Sequence, residues 1–449
     1  QMSDTISVSV QRTIGSVRSG TRKVQARGID SWSVRVADSC MKRWPLLSDD
    51  WSYEPGVVLK GIEQVWLDTG DEQYLEYIRR NIEQFVEPDG NIRTYDLRDY
   101  NLDQINTGKL FFQLYQETGD ERYRQALHLL MKQLKTQPRT REGGFWHKKT
   151  YPYQMWLDGI YMASPFYAQY ADRFDEHSGF DDAAHQILLI ERHTRDPKTG
   201  LYYHAWDESK MQKWANPQTG CSPHFWGRAM GWYAMAIVDV LDFLPASHRA
   251  RDRIVTIFER MIHALALVQD TDTGLWYQVL DRGGCEGNYT EASASCMFVY
   301  AMAKGIRKGY LDPKYLEAAQ RGYAGIIEHL VEVDEHGQVN LTRICAVAGL
   351  GMLAVARYLD PPINDMVLRI IGLTSLIYVP YDIFDDTIAR SGLRSDAYML
   401  SEQFGGPTML WGGLWLVLSL SVIAVCLRYG IGQSSNLTFG EASQEPQKE

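Results

Sequence analysis

The chain has 449 residues, of which 45% are hydrophobic and 23% are charged, and this balance excludes an intrinsically disordered protein. The net charge of −10 argues against nucleic acid as the main partner, because neutralising phosphates requires a basic surface. The six cysteines are scattered and form no C-x-x-C pair, so neither a disulfide framework nor a zinc site is expected. Aromatic residues reach 12%, which is typical of folds with a ring-lined cleft.

Residues 1–30 are rich in Ser, Thr, Arg and Gly and are predicted to form an N-terminal tail. They contain no basic stretch followed by an apolar run, so no signal peptide is predicted. We therefore expect a cytoplasmic protein, with anchoring to a membrane through a C-terminal segment as an open alternative.

Residues 31–358 show the apolar spacing of amphipathic helices. Gly70-Asp71 and Gly119-Asp120 each follow such a pattern, with Gly as a helix stop and Asp as the cap of the next helix. A looser copy runs from Gly309 to Asp312. The spacing of the first two copies indicates a helical hairpin as the repeating unit. At roughly 50 residues a hairpin, about six or seven hairpins are expected, stacked into a solenoid or closed into a ring.

After residue 358 the pattern changes, and residues 359–431 are predicted to be an apolar, membrane-spanning segment. Residues 409–427 carry no charge and are long enough to cross a hydrocarbon core of about 30 Å, although a buried core helix is the alternative. The shorter run 366–381 contains Pro380 and is a weaker second span. Residues 432–449 are polar and are predicted to be disordered.

Two carboxylates precede apolar helical patterns. Asp158 lies between Trp156-Leu157 and Gly159, where partial burial would raise its pKa and suit a general acid, or where it would simply cap the next helix. Asp103 precedes another apolar helix, and capping is its simpler explanation. Two such carboxylates facing one cavity are the usual arrangement of a glycosidase.

Several other polar residues lie within aromatic runs. His147 and His204 stand beside rings, although a lone histidine is more often structural. Arg228 is predicted to be buried among aromatic and small residues, where it would need an anionic partner from the protein or a substrate. Trp156 and Trp232 could stack on sugar faces, and core packing explains either one equally well.

Taken together, residues 31–351 resemble the unsaturated rhamnogalacturonyl hydrolases of glycoside hydrolase family 105. The matching segments are 32–39, 41–45, 101–106, 143–149, 155–166, 225–235 and 347–351. The resemblance implies an all-α (α/α)6 barrel, in agreement with the hairpin estimate. The match stops near Gly351, so a barrel that is incomplete at its C-terminal end is expected.

The resemblance also implies a chemistry that begins with hydration of the C4=C5 double bond of an unsaturated galacturonic acid and ends in release of rhamnose. By motif, Asp158 is the proton donor and Asp103 the second acidic residue. The substrate-binding positions implied by motif are His147, Trp156, His204, Arg228 and Trp232. No metal or organic cofactor is implied, and the expected partner is a small oligosaccharide.

Two alternatives remain open at this stage. The substrate could be an unsaturated glucuronyl product of another lyase, or the chain could be an inactive, membrane-tethered sugar-binding protein. Residues 359–431 resemble the membrane-spanning end of fungal M50B-like membrane peptidases, but that family's zinc motif is missing, so proteolysis is not expected. Either a true fusion or a joined gene model would produce this tail.

Overall fold

The structure is a computed structural model that describes residues 31–341 together with Gly406, Pro407, Leu410 and Leu414. The chain divides into two compact units, residues 1–342 and 343–449, and the elements given below belong to the first. The predicted N-terminal tail, the polar C-terminus and nearly all of segment 359–431 lie outside the described residues.

Residues 31–341 are mainly helical, and the helices form hairpins; in all of the described hairpins but the first, the first helix is the more buried. The inner helices α2, α4, α7, α9 and α11 contact one another in succession, and the short α4 leads directly into α5, the first helix of the second hairpin. In one hairpin, α9 buries 11 of its 14 residues, whereas α10 buries 7 of 17. The helices are α1 (Trp32–Arg43), α2 (Tyr53–Thr69), α3 (Glu72–Glu83), α4 (Asp103–Asn106), α5 (Lys109–Thr118), α6 (Glu121–Thr136), α7 (Leu157–Arg173), α8 (Ser178–Thr194), α9 (Gly227–Val240), α10 (Arg251–Leu267), α11 (Ala292–Lys308) and α12 (Leu316–His329).

The predicted Gly-Asp pairs end one helix at the glycine and cap the next helix with the aspartate, as expected. Gly70 closes α2 with φ +70°, a left-handed conformation that costs glycine nothing. The carboxylate of Asp71 then accepts a hydrogen bond from the backbone N–H of Gln73 and caps α3. Gly119 and Asp120 do the same between α5 and α6. The hairpin repeat inferred from sequence is therefore confirmed.

Four short strands, which the sequence analysis did not predict, form two antiparallel two-stranded sheets within the mainly helical fold. The strands are β1 (Gln154–Trp156), β2 (Ala205–Asp207), β3 (Val331–Val333) and β4 (Val339–Leu341), paired β1 with β2 and β3 with β4. Each strand has three residues, too few for an alternating pattern to be recognised in the sequence. The β1–β2 pair is the one that bears on the candidate site, because β1 immediately precedes α7.

The six-hairpin barrel is only partly visible in the described residues. They hold five hairpins, α2–α3, α5–α6, α7–α8, α9–α10 and α11–α12, together with α1, which packs on α2 and β4. Residues 342–358, where sequence analysis ends the barrel, lie outside them. Closure of the barrel therefore stays a prediction.

Within the described residues, no helix is both long and apolar enough to cross a membrane. The predicted spans 366–381 and 409–427 lie outside them, apart from Leu410 and Leu414.

Replacing Gly70 by Ala should lower the free energy of unfolding by about 1 kcal/mol, because alanine disfavours the left-handed backbone at the end of α2. Gly61 is the matched control. It lies inside α2, and a Cβ there meets no atom within 4 Å, as at Gly70. Gly61→Ala should stabilise the protein by about 0.5–1 kcal/mol. Urea unfolding of both variants measures the difference, and equal effects would contradict the assigned helix end.

Candidate active site

Three backbone hydrogen bonds join the segments that carry the candidate residues. The N–H of Leu102 donates to the carbonyl of His147 at 3.1 Å, and the N–H of His147 donates to the carbonyl of Gln154 at 2.8 Å. The N–H of Leu157 donates to the carbonyl of His204 at 3.0 Å. The two acidic residues directly follow Leu102 and Leu157, so both are held in the same loop assembly at the start of α4 and α7.

Asp103 is a paired carboxylate rather than a helix cap. It is the first residue of α4 and makes no capping hydrogen bond. One carboxylate oxygen lies 3.2 Å from Nε2 of His147, and the other lies 2.7 Å from Nζ of Lys148. Burial raises the pKa of this carboxyl, but the His147 hydrogen bond and the Lys148 charge outweigh burial and lower the pKa to about 2. Asp103 is therefore ionised at neutral pH.

Asp158 has a different environment. It is the second residue of α7, Trp156 occupies the N-cap position, and no side chain caps this helix, so the capping alternative was wrong here too. Its side chain is 15% exposed, as is that of Asp103. Oδ2 lies 3.1 Å from Nε2 of His204, but the two groups are not aligned for a hydrogen bond, and neither atom has another partner among the described residues. Asp158 has no lysine or arginine ion pair in residues 31–341.

Trp156 connects the two carboxylate environments. Its ring stacks on that of His147, with centroids 4.5 Å apart, and on that of Tyr151 at 5.0 Å. The ring of His204 meets it edge-on at 5.1 Å. Trp156 therefore contacts both histidines that approach the carboxylates, and it fixes their ring positions.

Arg228 is exposed, so the prediction of a buried guanidinium was wrong. As the second residue of α9 it points away from the packed side of that helix, and its guanidinium stacks on the ring of Trp226 at 4.3 Å. It has no carboxylate partner within residues 31–341. The sequence placed Arg228 beside aromatic residues, but aromatic neighbours did not imply burial, and an anionic partner from a substrate stays a prediction.

Tyr53 is a site residue that sequence reasoning missed. It begins α2, its ring meets that of Trp232 edge-on at 6.1 Å, and burial raises its pKa. The charges that act on it include those of Asp103, Asp158 and Arg228, so it lies among the predicted residues. Trp232 itself is 7% exposed and stacks on a buried tyrosine. In the sequence, the signal for Tyr53 is weak: it is an aromatic residue just before a predicted helix.

Unpaired buried polar atoms concentrate in these segments. Among the described residues, nine buried side-chain atoms have no hydrogen-bond partner, and seven of them lie in segments 101–106, 143–149, 155–166 and at His204. The seven atoms are Gln104 Oε1, Asn106 Oδ1, Trp146 Nε1, His147 Nδ1, Asp158 Oδ2, Ser164 Oγ and His204 Nε2. Buried polar atoms are usually paired, so this concentration is typical of a site for a polar ligand. In the part of the chain that the structure describes, no three His, Cys, Asp or Glu side chains gather to hold a metal ion.

The chain belongs to Glycosyl Hydrolase Family 88, whose family model matches residues 32–379. It is therefore a glycoside hydrolase of the group that acts on unsaturated glycuronyl and rhamnogalacturonyl substrates. A second model, Peptidase M50B-like, matches residues 338–426, nearly all outside the described residues. The first match extends beyond Gly351, so the predicted end of the resemblance was placed too early.

Known proteins resemble the chain over most of its first unit. A solved glycoside hydrolase from family 105 of C. acetobutylicum ATCC 824 is 47% identical, with a TM-score of 0.69, covering 70% of this chain and 87% of that one. Unsaturated rhamnogalacturonyl hydrolase YesR of Bacillus subtilis (strain 168) is 28% identical over 311 residues, 68% of this chain and 83% of that protein. Protein Atu3128 of Agrobacterium fabrum is 41% identical over 197 residues, 42% of this chain and 82% of that protein.

The ionised state of Asp103 should contribute to stability above about pH 4. Its pKa is about 2 in the folded protein, below the ordinary value of 3.8, so the contribution is present above the unfolded pKa and is lost as pH falls through the folded one. This is worth about 2 kcal/mol. Urea unfolding of wild type and Asp103→Asn from pH 6 to pH 2 should show their stability difference shrinking below pH 4. A difference that is constant with pH would contradict the pairing.

Proposed function

We propose that the enzyme hydrolyses a disaccharide in which an unsaturated galacturonic acid is joined to rhamnose. The support is the site's two acidic residues together with the similarity to YesR, which is named an unsaturated rhamnogalacturonyl hydrolase. Solved unsaturated glucuronyl hydrolases are 12–15% identical to this chain and bear on the fold alone. The glucuronyl substrate is therefore the comparison in the test rather than the proposal.

The observation that carries the proposal is the unequal pairing of the two carboxylates. Asp103 is held ionised by His147 and Lys148. Asp158 has neither lysine nor arginine beside it among the described residues, and its Oδ2 is buried without a hydrogen bond. Two carboxylates in different environments divide into an ionised group and a proton donor, which is the usual basis of acid catalysis at neutral pH. We assign the role of proton donor to Asp158, as the motif resemblance implies.

The proposed reaction starts at the enol ether of the unsaturated ring. Asp158 transfers its proton to C4, the double-bond electrons form the C4–H bond, and positive charge develops at C5 and the ring oxygen. Water then adds at C5 and returns a proton to Asp158, giving a hemiketal. The C5–ring oxygen bond breaks as a C5 ketone forms, and the hemiacetal left at C1 collapses to an aldehyde and free rhamnose. Atoms balance with one water consumed.

The remaining residues have proposed roles that follow from their positions. The negative charge of Asp103 stabilises the cation that develops at C5, and its contact with His147 orients that ring. Trp156 holds both histidines. The exposed guanidinium of Arg228 is suited to grip the uronate carboxylate with two parallel hydrogen bonds.

Asp158→Asn should abolish proton donation without altering the size of the side chain. We expect a loss of at least about 10²-fold in kcat, because general acid catalysis contributes that much. The measurement follows the ultraviolet absorbance of the conjugated double bond of an unsaturated galacturonyl-rhamnose disaccharide, together with rhamnose release.

The control for this experiment is Asp181→Asn, which breaks a carboxylate–Arg249 pair outside the segments that carry the site. It should retain turnover. Loss of absorbance at the wild-type rate in Asp158→Asn would refute the assigned donor. Turnover of the glucuronyl disaccharide alone would replace the proposed substrate, and saturable binding of both without turnover would support an inactive sugar-binding protein.

Arg228→Ala should raise KM by about tenfold or more with a smaller change in kcat, since a charged hydrogen bond is worth about 1.5–3 kcal/mol. Arg35→Ala is the matched control, because Arg35 also stacks on a tryptophan at 4.3 Å, on α1. It should leave KM unchanged. Equal KM values for the two variants would remove Arg228 from the binding role.

Attachment to a membrane through residues 409–427 and a cytoplasmic location stay predictions of the sequence. The full chain, mixed with lipid vesicles and spun through a density gradient, should float with the vesicles if that segment inserts. Recovery of the protein only in the dense fractions would contradict the anchor and would leave the proposed chemistry untouched.

A further inference from the structure

A second polar cavity lies at the opposite ends of the inner helices. The candidate active site uses the N-terminal ends, with Tyr53 first in α2, Asp158 second in α7 and Arg228 second in α9. The other cavity, of about 380 Å³, is lined by the C-terminal halves of α2, α9 and α11, the middle of α7 and the start of α5. It shares no lining residue with the candidate active site.

The carboxylates of this second cavity already have cationic partners. Asp239 is 2.6 Å from Nζ of Lys304, and Asp242 is 2.7 Å from the same ammonium and 3.3 Å from that of Lys308. A glutamate on α2, Glu63, is in direct contact with its neighbour in the next helical turn, Lys60. The anionic lining is therefore neutralised.

Lys109 is the buried cation among these charges that has no such partner in the described residues. It is 4% exposed, lines the cavity, and forms no ion pair or hydrogen bond with any described residue. Its ammonium lies 3.8 Å from the ring centroid of Tyr161. A buried cation without an anion is costly, and a cation–π contact compensates only part of that cost. Burial accordingly lowers the pKa of Lys109 to about 7.

We propose that this cavity binds a sugar acid, with the ligand's single carboxylate on Lys109 and its hydroxyls on the surrounding polar groups. The carboxylate would supply the missing anion. Hydroxyl groups need acceptors, and the cavity offers the carboxylates of Asp239 and Asp242 and the amide of Gln169. A neutral sugar would leave the ammonium unpaired, and the second charge of a phosphate would find no unpaired lysine, because Lys60, Lys304 and Lys308 already contact carboxylates. The volume is sufficient for one monosaccharide.

The charged state of Lys109 makes binding depend on pH. The groups facing it are Lys60 and Glu63 from α2, Asp239 from α9, Lys304 from α11 and the ring of Tyr161 from α7. Of these lysines, Lys304 has its pKa raised by its two carboxylate partners, which outweigh burial, so it stays charged near neutrality. The charge that is lost around neutral pH is that of Lys109, and affinity should fall as pH rises.

The test is calorimetric titration of the full chain with galacturonate at pH 6. Lys109→Met removes the charge and keeps an unbranched apolar side chain. Arg307→Met, on the rim of the same cavity, is the matched control. We expect Lys109→Met to weaken one binding event at least tenfold and Arg307→Met to change it less than threefold. Any galacturonate bound at the candidate active site is separated by its sensitivity to Arg228→Ala.

Two further titrations keep the proposal testable should Lys109→Met not fold. Wild-type protein at pH 8.5 should bind galacturonate at least tenfold more weakly than at pH 6, and galactose should show no corresponding binding at either pH. Equal affinity for galactose, or no effect of pH and of Lys109→Met, would overturn the site. Phosphate binding that depends on Lys109 without galacturonate binding would overturn the sugar-acid class.

Discussion

The site depends on one constraint, the set of backbone hydrogen bonds that joins the loops before α4 and α7 and the strand β2. A carboxylate can act differently from its neighbour only where both are held in fixed and distinct surroundings. The bonds from Leu102 to His147 and from Leu157 to His204 pair each acidic segment with a histidine segment. The third bond, from His147 to Gln154, connects the His147 segment to β1, which ends at Trp156. The helices serve mainly to bring these loops to one end.

The fold could be predicted where its signals are local. A glycine stop followed by an aspartate cap acts within a few residues, so Gly70-Asp71 and Gly119-Asp120 identified the hairpins from sequence alone. The strands could not be predicted in this way, because β1 and β2 have three residues each and pair across about 50 positions of chain. Their pairing is a long-range contact that forms only in the folded chain.

The site could be predicted as a set of residues but not as an electrostatic arrangement. Motif resemblance selected Asp103 and Asp158. The ion pair of Asp103 with Lys148 and the stacking of His147 on Trp156 are contacts that form only in the folded chain. Arg228 was placed correctly among rings but wrongly inside the core, because a helix start can present a side chain to solvent while its neighbours are buried. Tyr53 is remote in sequence from both acidic residues.

Central to this account is protonation of C4 by Asp158 before any bond to rhamnose breaks. The most direct measurement is proton NMR of the reaction in deuterium oxide with the unsaturated galacturonyl-rhamnose disaccharide. The account predicts that the C4 vinyl signal disappears in step with rhamnose release, and that one deuteron enters C4 on a single face. Release of rhamnose while the vinyl signal persists, or early deuterium on both faces of C4, would contradict it.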